Sequence, residues 1–241
     1  MIQMEGIHCG YGDGDVLAGI DLRVARGEAV ALIGANGCGK TTLLRLVNGL
    51  VPARSGQYRF DGEPVTPGRL DRPEFARGFH QRIGFLFQKV DAQLFCPTVR
   101  EEVGFGPRQM GLAEDEVGRR VADCLALMGI GHLERRVPYH LSEGEQRRVA
   151  MASVLALNPE VLVLDEPLNG LDPRMKRFMG ELLAGLGAAG KTILASTHEF
   201  LGLEGVFHTA AVLGEDHRLA RTGPFRTVVG DREFLESVNV L

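Results

Sequence analysis

Cysteine is scarce and scattered in this 241-residue chain: Cys9, Cys38, Cys96 and Cys124 form no C-x-x-C pair. Neither a disulfide framework nor a zinc site is indicated, and a reducing compartment fits. Positive charge is not in excess. With 27 Lys and Arg against 31 Asp and Glu, the net charge of -4 gives no electrostatic reason to expect nucleic acid or an anionic membrane as the main partner. No apolar run approaches the ~18–20 residues needed to span a bilayer. The opening Met1-Ile2-Gln3-Met4-Glu5 has no basic segment followed by an apolar one, so no secretory signal is expected. Repeats and low-complexity linkers are missing, and the 32 glycines follow no collagen-like period. What remains is an ordinary globular composition, 44 % hydrophobic and 24 % charged, long enough to bury a self-sufficient core.

Three nearly continuous apolar runs, residues 29–33, 161–164 and 192–195, read as buried parallel strands. Each ends in polar or glycine-rich sequence, and ligands in open α/β sheets bind beyond such carboxyl ends. Around them, residues 1–24 read as antiparallel strands with turns at 10–15. Residues 58–60 before Asp61-Gly62 suggest a hairpin. Helical spacing runs over 112–128, and residues 143–157 read as a largely buried helix stopped by Asn158-Pro159. A strand and helix region follows from Thr209.

Gly34-Ala35-Asn36-Gly37-Cys38-Gly39-Lys40-Thr41 fits G-x-x-x-x-G-K-[ST] at every fixed position, after one of these strands and before a helix over about 40–49. Glycines let backbone N–H groups close on phosphate oxygens, and the helix start adds its positive dipole end. Lys40 is expected to reach the β- and γ-phosphates and Thr41, followed by Thr42, to coordinate Mg2+. The motif alone supports a purine nucleotide triphosphatase or kinase. The strand at 161–164 runs into Asp165-Glu166, whose side chains should point to opposite faces and take different roles. Asp165 suits Mg2+, and Glu166 suits activation of an attacking water as general base. His198, just past the third strand, can donate to a γ-phosphate while orienting Glu166, the alternative being a structural histidine. Gln88 has an amide able to meet both Mg2+ and water, the alternative being a surface glutamine. Tyr11 precedes a glycine-rich turn and offers a face for adenine, the alternative being a core tyrosine.

Leu141-Ser142-Glu143-Gly144-Glu145-Gln146 resembles the LSGGQ signature of ABC ATPases. With the phosphate loop, Gln88, Asp165-Glu166, Asn169-Gly170-Leu171-Asp172 and His198, all the motifs of that family occur in its order. Residues 87–95 and 98–107 further resemble the segment FQxPDxQLF…TVxEEVxFGP of energy-coupling-factor importer ATPases, the cobalt/nickel branch especially. The resemblance implies an α/β P-loop NTPase core, a mixed sheet with an antiparallel β subdomain at about 1–94 and 159–241. A helical subdomain would be inserted at about 95–158. It implies ATP and Mg2+ as ligands, bound between two ATPase subunits, this chain paired with itself or a paralogue. Ser142, Gly144 and Gln146 of one subunit would serve the ATP of the other. It also implies a transmembrane coupling protein, met through Asp91, Gln93, Leu94 and Phe95, and a substrate-capturing membrane protein. The expected setting is the cytoplasmic face of the cell membrane, with cobalt or nickel as cargo and a vitamin as the alternative.

Three departures stand out. Glu143 replaces the first signature glycine and should point away from phosphate or pair with Arg147 at i+4. Lys89-Val90 replaces Asn-Pro after Gln88. The chain reaches Leu241 with little beyond the core fold, so no C-terminal regulatory extension is expected. Cys38, where the family usually has serine or alanine, is expected to carry a reactive thiol at the helix start, the alternative being an inert buried one. A soluble ABC-type switch would need tandem units or coiled-coil insertions that are absent here. A P-loop small-molecule kinase leaves the 141–146 segment unexplained.

Overall fold

The apolar run at 29–33 becomes β3 (Ala29–Gly34), every residue of it buried. Its alternate side chains serve two cores: Val30 and Leu32 join one, Ala29, Ala31 and Ile33 the other. This two-sided burial is why the run is continuous rather than alternating. The computed structural model describes every residue except Asp13 and Leu201, of which Asp13 falls in the expected 10–15 turn. Strands β1 (Ile2–Cys9) and β2 (Leu17–Val24) precede β3, and α1 (Lys40–Val47) follows it. Then come β4 (Ser55–Phe60), β5 (Glu63–Pro64), α2 (Pro67–Leu70), α3 (Pro73–Arg82) and β6 (Ile83–Leu86). Helices α4 (Val99–Gln109), α5 (Glu114–Leu127) and α6 (Glu143–Ala156) lead to β7 (Val161–Asp165), α7 (Pro173–Ala188) and β8 (Thr192–Ser196). The chain continues through β9 (Thr209–Leu213), β10 (Leu219–Pro224), α8 (Phe225–Gly230) and α9 (Arg232–Ser237).

A six-stranded sheet has the order β10-β9-β3-β8-β7-β6, parallel except for β10. A four-stranded antiparallel sheet, β2-β1-β4-β5, shares with α1 the core on one face of it. On the other face α4, α5, α6 and α7 join the sheet in one continuous core. Helices α2, α3 and α7 were not legible from apolar periodicity; each begins at a proline, a residue suited to a first helical turn.

At the edge of the sheet remote from the phosphate loop, Arg26 and Arg82 bind Asp61 and Glu160. Arg26 lies 2.6 Å from each carboxylate and Arg82 2.6 Å from Glu160, with Arg82 also paired to Asp61. Hydrogen bonding to Arg82 holds the Glu160 carboxyl below its usual range. Burial pushes Asp61 up, but the bonds and charges of Arg82 and Arg26 outweigh it and the net shift is downward. Carboxyls depressed in the fold contribute stability that is present above their unfolded range near pH 4. It is lost as pH falls through the lower folded values. Arg82→Met should therefore flatten the loss of Tm between pH 5 and pH 3; an acid limb identical to that of the native chain would exclude this cluster as its source.

Candidate functional site

Three parallel strands deliver their last residues to one place. After β3 the chain turns through the phosphate loop, where Gly37 (φ 82°) and Gly39 (φ 115°) hold backbone that side-chain-bearing residues rarely adopt. Asn36 and Gly37 form its exposed crown, Ala35 is half-buried, and Gly34, Cys38, Gly39 and Thr42 lie beneath. Lys40 is only 6 % exposed, and its ammonium donates to the carbonyls of Gly34 (2.7 Å) and Ala35 (2.9 Å). Burial pushes its pKa down, against the fields of Cys38, Glu166 and Asp165. A desolvated cation held only by carbonyls suits an arriving polyanion. The Thr41 hydroxyl donates to Asp165 Oδ2 at 2.8 Å, and Asp165 Oδ1 accepts from Ser196 Oγ at 2.7 Å. A hydroxyl and a carboxylate beside a phosphate loop are hard oxygen donors, fitting a hydrated Mg2+ rather than a thiophilic metal.

Glu166 is 9 % exposed with φ 50°. The two acids were expected to diverge by strand alternation. Instead the strand stops at Asp165, and Glu166 departs in left-handed backbone. Its N–H donates to Ser196 Oγ (2.9 Å) and its carbonyl accepts from Arg147 Nη1 (2.9 Å), ties that hold the unusual torsion. The carboxylate is fixed on both oxygens: His198 Nε2 is 2.7 Å from Oε1, while Gln88 Nε2 (3.2 Å) and Asn169 Nδ2 (3.1 Å) donate to Oε2. Gln88, Glu166 and His198, 78 and 32 residues apart along the chain (166 − 88 and 198 − 166), are thus one constellation. Asn169, Ser196 and Arg147 complete it. Of these only Asn169 stood in a motif, and no local signal marks Ser196 or the role of Arg147.

Tyr11 is 53 % exposed, which removes the core-tyrosine alternative. Its loop is braced by Asp15, which meets His8 Nδ1 at 2.8 Å and Arg54 Nη1 at 3.0 Å, while Arg54 also donates to the Gly12 carbonyl. Ser142 is exposed and caps α6 in a reciprocal arrangement with Glu145. Gly144 lies half-buried in the first turn, and Gln146 is half-buried too, donating within the chain to the Pro138 carbonyl at 3.2 Å. Glu143 does pair with Arg147, at 3.7 Å.

Two expectations are corrected. Cys38 is 2 % exposed, and burial pushes its thiol up, outweighing the Lys40 charge and the backbone N–H groups. Maleimide should label Cys38 in the native protein far more slowly than after unfolding, as followed by mass spectrometry with and without denaturant. Equal rates would show an open thiol. Leu94, expected on a partner surface, is 1 % exposed and packs in the core. Gln93 is half-buried, its amide spanning Phe87 N (3.1 Å) and the Phe85 carbonyl (3.3 Å), and Asp91 stays exposed. Phe95 does face outward, 58 % exposed, edge-on to Phe105 at 4.8 Å. The two line a cleft of about 280 Å³ with Leu50, Phe85 and Phe87. In place of Asn-Pro, Val90 plugs the core and Lys89 stays exposed ahead of one turn of 3-10 helix.

The ABC transporter family profile matches residues 17–169. The chain is similar to the nickel import ATP-binding protein LarO of Lactiplantibacillus plantarum, 47 % identical over 219 residues, 91 % of each chain. It is similar to the energy-coupling factor transporter ATP-binding protein EcfA of Methanothermobacter thermautotrophicus, 44 % identical over 200 residues, 83 % of this chain and 63 % of that one. Among solved structures, cbiO1 of Clostridium perfringens, part of the ABC transporter complex cbiONQ, superposes with a TM-score of 0.83 at 35 % identity. That match covers 99 % of this chain and 94 % of the other.

Proposed function

The chain belongs to the ABC transporter ATPase family, and from that premise we propose that it is the motor subunit of an energy-coupling-factor importer whose cargo is nickel or cobalt. It binds and hydrolyses ATP, as members of the family do. The observation that carries the catalytic reading is Glu166, held on both carboxylate oxygens by His198, Gln88 and Asn169. In this reading Lys40 and the N–H groups of residues 34–42 cradle the phosphates, and Tyr11 stacks on the base. Thr41 and Asp165, with Gln88, hold Mg2+, which when bound neutralises charge on the β- and γ-phosphates. Glu166 takes the proton of the attacking water, and His198 keeps the carboxylate aimed.

Ser142 is spent on capping its own helix in the separate chain, with an anion-ready N-terminus facing outward. Two copies, or this chain with a paralogue, close head to tail so that Ser142 and Gly144 of the partner subunit meet the γ-phosphate. ATP then bridges the pair, and hydrolysis releases it. The exposed Phe95–Phe105 pair beside Gln88 supports a docking site there for a transmembrane coupling protein. No helix among the described residues is long and apolar enough to cross a membrane. On the likeness to transporter ATP-binding proteins we place the chain peripherally, at the cytoplasmic face beneath that partner and a substrate-capturing membrane protein.

The likeness to LarO, a nickel import ATP-binding protein, supports a transition-metal cargo. The test is to isolate the chain with its partners from detergent-solubilised native membranes, reconstitute the complex in vesicles, and measure ATP-dependent uptake of radioactive nickel, cobalt and vitamins. Nickel or cobalt uptake is expected. Uptake of a vitamin alone would overturn the cargo, and failure to recover any membrane protein would overturn the importer.

A further inference from the structure

Arg147 lies in the first half of α6, five positions after Ser142 (147 − 142), yet it is 2 % exposed. Its guanidinium forks to two backbone carbonyls, Glu166 O through Nη1 at 2.9 Å and Gln88 O through Nη2 at 3.3 Å, while Nε has no partner. Burying a cation in this way is costly, and desolvation pushes its pKa down against the fields of Glu143 and Glu166. An apolar side chain of similar length would fill the space without that cost. What it could not supply is the fork, and the two carbonyls belong to the two residues whose side chains meet at 3.2 Å in the hydrolytic constellation.

Glu143 sits at the other end of the device. It is 70 % exposed, 3.7 Å from Arg147, and leans on Gly170, where a Cβ would come within 3.1 Å of its carboxylate. Gly170 (φ 71°) directly follows Asn169, the second amide on Glu166. The acid that departs from the signature therefore stays largely exposed but leans towards the loop of its own catalytic carboxylate.

We propose that Arg147, with Glu143 as its counter-ion, is a positioning residue that locks Gln88 and the left-handed turn at Glu166 onto the helix that offers Ser142. The helix presented to the neighbouring subunit then also sets the hydrolytic groups of its own site. This rests on the two-copy arrangement proposed above.

The test uses Arg147→Met, which keeps the volume but removes both donors, and Glu143→Gln, which keeps the shape but removes the charge. For Arg147→Met, Tm should change little, relief of the desolvated charge offsetting the carbonyls left without a donor. At the same time kcat should fall at least about tenfold and KM for ATP stay within about twofold, since misplacement of reacting groups by an ångström is enough for such a loss. A residue that merely held the fold would lower Tm and activity together. Glu143→Gln should lower kcat about threefold with Tm unchanged, a milder loss of alignment of the same kind. In a Glu166→Gln background, Arg147→Met should still dimerise with ATP. Folded Arg147→Met with native kcat overturns the proposal. If that variant fails to fold, Glu143→Gln decides, and native kcat there overturns it equally. Glu166→Gln alone remaining monomeric with ATP would instead count against the two-copy arrangement.

Discussion

Glu166→Gln is expected to lower kcat by about 10²–10⁴-fold, the usual contribution of a positioned general base, while ATP binding persists. Several observations make this substitution local. The torsion at residue 166 is held through its backbone, by Ser196 Oγ at 2.9 Å and Arg147 Nη1 at 2.9 Å, and neither tie involves the carboxylate. Glutamine keeps one acceptor oxygen for either His198 or the Gln88–Asn169 pair, so one side of the constellation survives. The new amide cannot accept a proton from water near neutral pH. Removing a negative charge beside the triphosphate also relieves repulsion in the closed pair, so the ATP-bound dimer should accumulate. Steady-state hydrolysis, calorimetry with ATP and size-exclusion chromatography check the three parts. Turnover within threefold of the native chain would reject Glu166 as the base.

Much of the fold could be read from the sequence because two-sided burial leaves an unmistakable trace. The runs at 29–33, 161–164 and 192–195 reappear as the interior of β3, β7 and β8, each extended by one residue. Helices α3 and α7 left a weaker trace. The first fully buries only Phe79 and the second only Met179 and Leu183, too few positions to establish a period. At the site, motif order named Gln88, Glu166 and His198, but not how they are held. The turn at Glu166 depends on Ser196 and Arg147, 30 and 19 residues away in sequence, and left-handed backbone at a non-glycine residue has no local signature. Cys38 and Leu94 show the matching limit. The helix start at Cys38 was legible, and Leu94 was read only as part of a contact segment after Gln88, but the direction of a single side chain is set by tertiary packing. Both point into the core.

Lys40→Met separates the nucleotide site from the stability of the protein around it. In the unliganded chain the Lys40 ammonium is buried and satisfied only by the Gly34 and Ala35 carbonyls, an arrangement that burial already disfavours for the charged form. Methionine keeps most of the stem and removes the desolvated charge, so the unliganded Tm should change little or rise. The loss falls on the ligand. A phosphate loop with no cation inside it offers the triphosphate only N–H dipoles, and the β- and γ-phosphates lose their buried counter-charge. For the native chain, ATP at a hundred times its Kd adds about 2.7 kcal/mol of stability. In a chain of this length that is a rise of roughly 5–10 °C in Tm. Thermal unfolding of Lys40→Met with the same ATP should show almost none of that rise, and hydrolysis should be undetectable. A full ATP-dependent shift in Lys40→Met would mean that the Lys40 charge is not what the phosphates bind.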